Sequence, residues 1–237
     1  MILKNKKKFC MGLIGLFSFS IVFCLCLFPV IGGKSGVQFA DDLFNQLAKN
    51  SAYHVPSAVK KAEQFKGFVV DVSVNPRWPE ADKWVSGILA ANGASASPVG
   101  DGRVRVRGDL GLLSMAAAAD ADLLYKGQEG ELRKKYGLSG REVIYYWWTA
   151  FDDFIRRYVQ LNRAPEADFA RFMTTRVLEP SYNFVGIEQR KISENPTIVT
   201  LLLAFYVIYT VWYGFSILYL FEGLGIRVTK ASVKKEA

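Results

Sequence analysis

Phe68-Val69-Val70-Asp71-Val72-Ser73-Val74 decides the fold class of this 237-residue chain. Phe68, Val70, Val72 and Val74 fall on one face. Val69, Asp71 and Ser73 fall on the other. A period of two with one apolar face is the signature of a half-buried strand. Asn75-Pro76 and Pro79 end it. Outward from there, Glu80–Ala91 has helical spacing and stops at Asn92-Gly93. Ala94–Val99 and Arg103–Arg107 flank Gly100-Asp101-Gly102, a hairpin turn. Leu110–Lys126 is an alanine-rich helix. The order β-α-β-β-α predicts a small three-stranded sheet with helices on one face. That is a split β-α-β unit of ferredoxin type without its last strand, and the fold class is α+β.

Helices surround this unit. Before it, Val37–Lys49 places Ala40, Leu43, Phe44 and Leu47 on one face. Pro56 opens a second helix to Phe65, with Val59, Ala62 and Phe65 inward. After it, Leu138–Arg176 is helical. Ser139 and Glu142 form a capping box, and Asp152→Arg156 and Asp153→Arg157 are acid-first i,i+4 pairs. Ile144, Trp147, Trp148, Phe151, Ile155, Tyr158 and Val159 make the apolar stripe. Ala164-Pro165 interrupts the pattern before Glu166–Val177, and Glu179–Phe184 reads as an aromatic loop. Short connections throughout predict one core.

Further out, Phe9–Ile31 carries no charge over 23 residues and Ile198–Phe221 none over 24. At about 1.5 Å per helical residue, either crosses a hydrocarbon core of roughly 30 Å. The predicted arrangement is two transmembrane helices, 9–31 and 197–221, flanking a mostly helical extracytoplasmic domain at 32–196. Tails lie at 1–8 and 222–237. Gly32-Gly33-Lys34-Ser35-Gly36 is a flexible exit from the first span, and Asn195 with Pro196 caps the second.

Charge sets the orientation. The first tail carries +4, the last +2, and residues 32–196 only +2 of the chain's total of +8. Basic residues beside spans stay cytoplasmic. Both tails are therefore expected in the cytoplasm and the domain outside. The pI of 9.3 is mainly a topology signal, which argues against nucleic-acid binding. The basic start also suits a signal peptide. The apolar stretch is too long for one, however, and no small-residue cleavage site follows Val30, so a retained anchor is expected. Cys10, Cys24 and Cys26 all lie in the first span, so the domain holds no disulfide or cysteine-ligated metal.

The chemistry is sparse. His54 is the only histidine and lacks the partners of a zinc site or a catalytic triad. Gly33-Lys34-Ser35 imitates a phosphate loop with no strand before it. Arg107-Gly108-Asp109 is a chance adhesion-like tripeptide. No cofactor is implied. Arg103, Arg105 and Arg107 share one strand face and are candidate anion contacts, against the plainer reading of a solvated face. Tyr145-Tyr146-Trp147-Trp148 cannot all face one core at about 100° per residue. Tyr145 and Tyr146 are the candidate partner contacts, and Trp148 and Phe151 are expected inside. In the spans, Gly12, Gly15 and Ser18 form a small-residue packing stripe. Tyr206, Tyr209, Tyr213 and Ser216 form a polar-aromatic face, its three tyrosines being further candidate partner contacts.

Trp147-Trp148-Thr149-Ala150-Phe151, Glu179-Pro180-Ser181-Tyr182-Asn183-Phe184-Val185-Gly186-Ile187-Glu188 and Phe221-Glu222-Gly223-Leu224-Gly225 resemble segments of a family of two-span bacterial inner-membrane proteins with an extracytoplasmic domain. The resemblance covers most of the chain. It implies a bacterial inner-membrane setting and carries no activity or site residues. The expected function is a non-enzymatic accessory subunit, docking on a larger membrane complex or transporter through its spans and external domain, its partner in the lipid bilayer being an integral membrane protein or further copies of the chain. The alternative is a domain that binds a small anionic ligand and signals through a separate protein. An enzyme would need a pocket of converging Asp, Glu, Tyr and Arg residues that sequence spacing does not reveal.

Overall fold

The computed structural model describes residues 3–226 apart from 77, 79, 192, 194 and 195. Its contacts divide the chain into two units. One is residues 48–189; the other is the residues up to Leu47 together with those from Arg190. The fold is α+β, mostly helical with one small antiparallel sheet.

Helix α1 (Lys6–Leu27) starts on the side chain of Asn5, which accepts the Lys8 N–H at 3.1 Å. It stops four residues short of the end of the apolar run. Pro29 forces Phe28 into extended backbone at φ −79° and ψ 149°. The expected flexible exit is instead a tight turn. Gly32 and Gly33 have φ of 55° and 81°, Ile31 pairs with Lys34, and Ser35 and Gln38 cap α2 (Gly36–Ser51) reciprocally.

The unit 48–189 begins with α3 (Val55–Glu63). Its inward residues are Val55, Ala58 and Ala62, whereas Val59 is exposed. The reason lies in the facing helix. A Cβ on Gly111 would stand 2.6 Å from the Ala62 carbonyl oxygen, so α3 presents its smallest residues there. Strand β1 (Val69–Val74) buries Val70, Val72 and Val74 as the alternation requires, whereas Phe68, expected on the same face, precedes the strand and is exposed. Then come α4 (Ala81–Ala91), β2 (Ser95–Gly100), β3 (Arg103–Asp109) and α5 (Leu110–Tyr125). Asp101 and Gly102 have φ of 51° and 70°, the pair of positive angles a tight hairpin needs. The sheet order is β1-β3-β2, with β3 antiparallel to both neighbours. β1 and β2 therefore run parallel with β3 between them, the topology of a split β-α-β unit. Asp109 closes this unit: its carboxylate accepts N–H groups from Leu112, capping α5, and from Gly67.

Helices α6 (Glu129–Tyr136), α7 (Gly140–Gln160) and α8 (Ala164–Met173) follow, then a π-helical turn (Thr174–Leu178) and α9 (Glu179–Asn183). The capping box of Ser139 and Glu142 starts α7, and Asp152 pairs with Arg156 at 2.6 Å. Asp153 accepts the Asn75 backbone N–H at 2.7 Å. Glu179–Asn183 is a helix rather than the expected loop. Pro180 cannot donate, and the turn before it widens so that Glu179 N–H reaches the Thr174 carbonyl. One apolar cluster runs from Val55 to Leu178 and includes Val72, Leu113, Trp147, Phe151 and Phe154.

Helix α10 (Pro196–Gly223) completes the other unit; the expected cap Asn195 lies outside the described residues. α1 and α10 are both long and apolar enough to cross a membrane. They run antiparallel side by side: Lys4 and Asn5 donate backbone N–H bonds to the Gly223 carbonyl, and Lys8 pairs with Glu222 at 2.6 Å.

Candidate functional site

The four aromatic residues of α7 separate by helical phase. Trp147 points into the core, fully buried, and its indole N–H donates to Asp120 at 2.8 Å. Of the two rings expected inside, Phe151 is fully buried and Trp148 is half-buried, packed against the edge of the core. Trp148 sits at the rim, where its indole N–H donates to Glu179 of α9 at 3.0 Å. Asp120 decides this. It is 1% exposed, accepts also from Tyr136 Oη at 2.6 Å and Lys135 Nζ at 3.0 Å, and its third donor must come from inside.

Tyr145 and Tyr146 are half-buried beside Trp148. Trp78, in the loop before α4, lies 62% exposed and donates its indole N–H to Tyr145 Oη at 2.6 Å. Tyr145 stacks on Trp148 at 6.4 Å and meets Tyr146 at 5.9 Å and Trp78 at 6.5 Å edge-on. Across from them, α9 contributes Tyr182, whose ring lies 5.6 Å from the Arg141 guanidinium. Two adjoining clefts result. One of about 320 Å³ has Ile144, Trp148 and Leu178 in its walls; the other, about 420 Å³, has Trp78, Arg141 and Tyr146. Tyr145 and Tyr182 belong to both.

Bonds from the Ser139 hydroxyl and backbone hold the Glu142 carboxyl below its usual range. Burial pushes the Tyr146 phenol up, with Glu142 and then Tyr145 adding to the effect. The indole N–H groups of Trp78 and Trp148 are both engaged within the protein. Rings of this kind supply stacking and apolar area, and Arg141 and Glu142 supply orientation at the rim. Trp78 and Tyr182 are functional candidates that sequence reading missed. Neither carries a periodic signal, and each acquires its place only through a partner distant in the chain.

The other predicted residues lie elsewhere. Arg103, Arg105 and Arg107 share the solvent face of β3 while Val104 and Val106 are fully buried. Arg105 pairs with Asp71 at 2.5 Å and Arg103 with Asp101 at 3.4 Å. His54 precedes α3, its carbonyl accepting from Ser57 and Ala58. Among the described residues no three His, Cys, Asp or Glu side chains gather as a metal set.

In the second unit, a Cβ on Gly12 would stand 2.5 Å from the Leu220 nitrogen, and one on Gly15 2.5 Å from the Ser216 hydroxyl. Gly12 thus admits the α10 backbone itself, and Gly15 makes room for the Ser216 side chain. The Ser18 hydroxyl instead bonds the Gly15 carbonyl of its own helix at 3.0 Å. Tyr209 stacks on Phe19 of α1 at 4.2 Å and Tyr213 meets the same ring tilted at 5.0 Å, while Tyr206 is 66% exposed. The tyrosine face is therefore divided: two rings meet α1 and one turns outward.

Comparison with protein-family models, with curated proteins and with solved structures returns no significant match to this chain.

Proposed function

We propose that this is a two-pass membrane protein whose unit 48–189 is a non-enzymatic docking module outside the cytoplasm. In this reading it serves as an accessory subunit of a larger complex in a bacterial inner membrane. α1 and α10 cross the bilayer together, and Tyr206 faces a further helix. The close packing at Gly12 and Gly15 and the lysines flanking α1 support the membrane reading.

The observation that carries the docking role is the aromatic cleft. Trp78 and Tyr182 are exposed, Tyr145 and Tyr146 are half-buried, and the four rings gather around one pair of adjoining clefts. Covering one such ring is worth about 2–3 kcal/mol, and a cluster of rings is the usual centre of a protein interface. The test places a photo-reactive amino acid at position 182 of the full chain in native membranes. Irradiation, purification on a tag and mass spectrometry are expected to recover one stoichiometric multi-span protein. The same probe at Ser97, on β2, is expected to recover none. Recovery of the chain alone from both positions would sink the accessory-subunit reading.

A further inference from the structure

The sheet order leaves two edges, and the chain treats them differently. The β2 edge is blunted: Pro98 has no N–H to offer, and the register shifts between Pro98 and Gly100. β1 has neither device. Val69–Val74 pair with Asp109–Val104 in unbroken register, and among the described residues no strand lies on the other side of β1. A β-α-β-β-α order that went on to a fourth strand would have one place for it. β3 is flanked on both sides and β2 is blocked by Pro98, so the place is beside β1. The chain continues into helices instead.

At that place lies a groove of about 560 Å³, running along residues 69–73 of β1 and walled by the last turns of α7. Arg105, Arg156, Arg157 and Arg163 line it, against Asp71 and Asp153. Arg105, Arg156 and Arg163 have carboxylate partners. Arg157 is exposed and forms no ion pair among the described residues. Tyr158, 3% exposed on the same wall, has a hydroxyl without a hydrogen-bond partner among those residues.

We propose that the outer edge of β1 docks an extended acidic segment of another protein, which joins the sheet as a fourth strand. The backbone N–H and C=O groups on the outer edge of β1, away from β3, supply the ladder, and the arginines, Arg157 foremost, select carboxylate side chains. At about 3.3 Å per residue, five extended residues match the length of the groove. Charge argues against two other occupants. A second copy would set its own arginines against these, and the chain's tails are rich in lysine and arginine. The inference does not depend on the aromatic cleft.

The test uses the full chain in non-ionic detergent and a fluorescent octapeptide alternating Glu or Asp with Val. Saturable binding is expected, weakened roughly five- to twentyfold by Arg157→Glu. Arg157→Gln guards against a folding defect, with circular dichroism as control, and is expected to weaken binding less. N-methylation of alternate residues is expected to abolish binding in one phase and spare it in the other, because only one edge of an added strand meets β1. Amide exchange at 69–74 is expected to slow on binding. Equal binding of both N-methylated peptides would mean a site that reads charge alone, as would displacement by inorganic phosphate with no exchange effect. Either result, or no binding of the parent peptide, overturns the proposal.

Discussion

Asp120 shows at the residue scale how a buried charge is held. Three donors from Lys135, Tyr136 and Trp147 satisfy its two oxygens in a site 1% exposed. Asp120→Ala strands the Trp147 and Tyr136 donors inside the core. The expected loss is about 3–5 kcal/mol, and less for Asp120→Asn, which keeps the shape. Denaturant unfolding of the full chain in detergent measures both. The phenols make a second prediction. Burial pushes Tyr125 up to about 12, with Tyr53 adding to it, and burial pushes Tyr158 up to about 12 against the pull of Arg163. An unfolded tyrosine ionises near pH 10 and these two do not, so the unfolded state sheds protons first as pH rises. The stability they contribute is complete below about pH 10 and is lost towards pH 12, about 2–3 kcal/mol each. Alkaline unfolding followed by tyrosinate absorbance is expected to be cooperative in that window. A gradual titration of both phenols in the folded protein would contradict it.

The elements divide into those that announce themselves in sequence and those that depend on distant partners. The alternation of Val70, Val72 and Val74 needs only a period of two, and the hairpin needs only Asp101-Gly102, so the sheet unit was legible residue by residue. So was the helix start at Ser139 and Glu142. The phase of α7 was legible through Ile144, Trp147, Phe151 and Tyr158, which are buried, but not at Val159, which is exposed, or at Phe154, which is buried in its place. The bond that anchors Trp147 was not legible, because its acceptor Asp120 lies 27 residues away. The cleft was legible at Tyr145 and Tyr146 and invisible at Trp78, whose bond to Tyr145 spans 67 residues. For α1 and α10 the small residues gave the contact directly. Gly12→Leu would drive a side chain into the Leu220 backbone, so it is expected to destabilise the helix pair by about 1–3 kcal/mol. Gly214→Ala, with nothing within 4 Å of its Cβ, is the control. The thermal midpoint in detergent is expected to fall for the first and hold for the second.

For the whole molecule, the proposed topology makes a labelling prediction. All three cysteines, Cys10, Cys24 and Cys26, lie in α1, so a cysteine-free background needs three changes. In that background Ser97→Cys is expected to react with a membrane-impermeant maleimide on intact cells, and Asn5→Cys only after lysis. The reverse order would invert the topology. The π-helical turn at Thr174–Leu178 has a consequence on the same scale. A helix turns about 100° per residue, and a π turn holds one residue more than an α turn. That extra residue acts as an angular offset: it sets the rotational phase at which α9 arrives opposite α7. Removing Thr175 would let the turn tighten and swing Glu179 and Tyr182 through about a quarter of a revolution, away from Trp148 and Arg141. The cleft then opens with every one of its side chains still present. Its specificity is stored in chain length as much as in composition, and a one-residue deletion is a sharper lesion there than any single substitution.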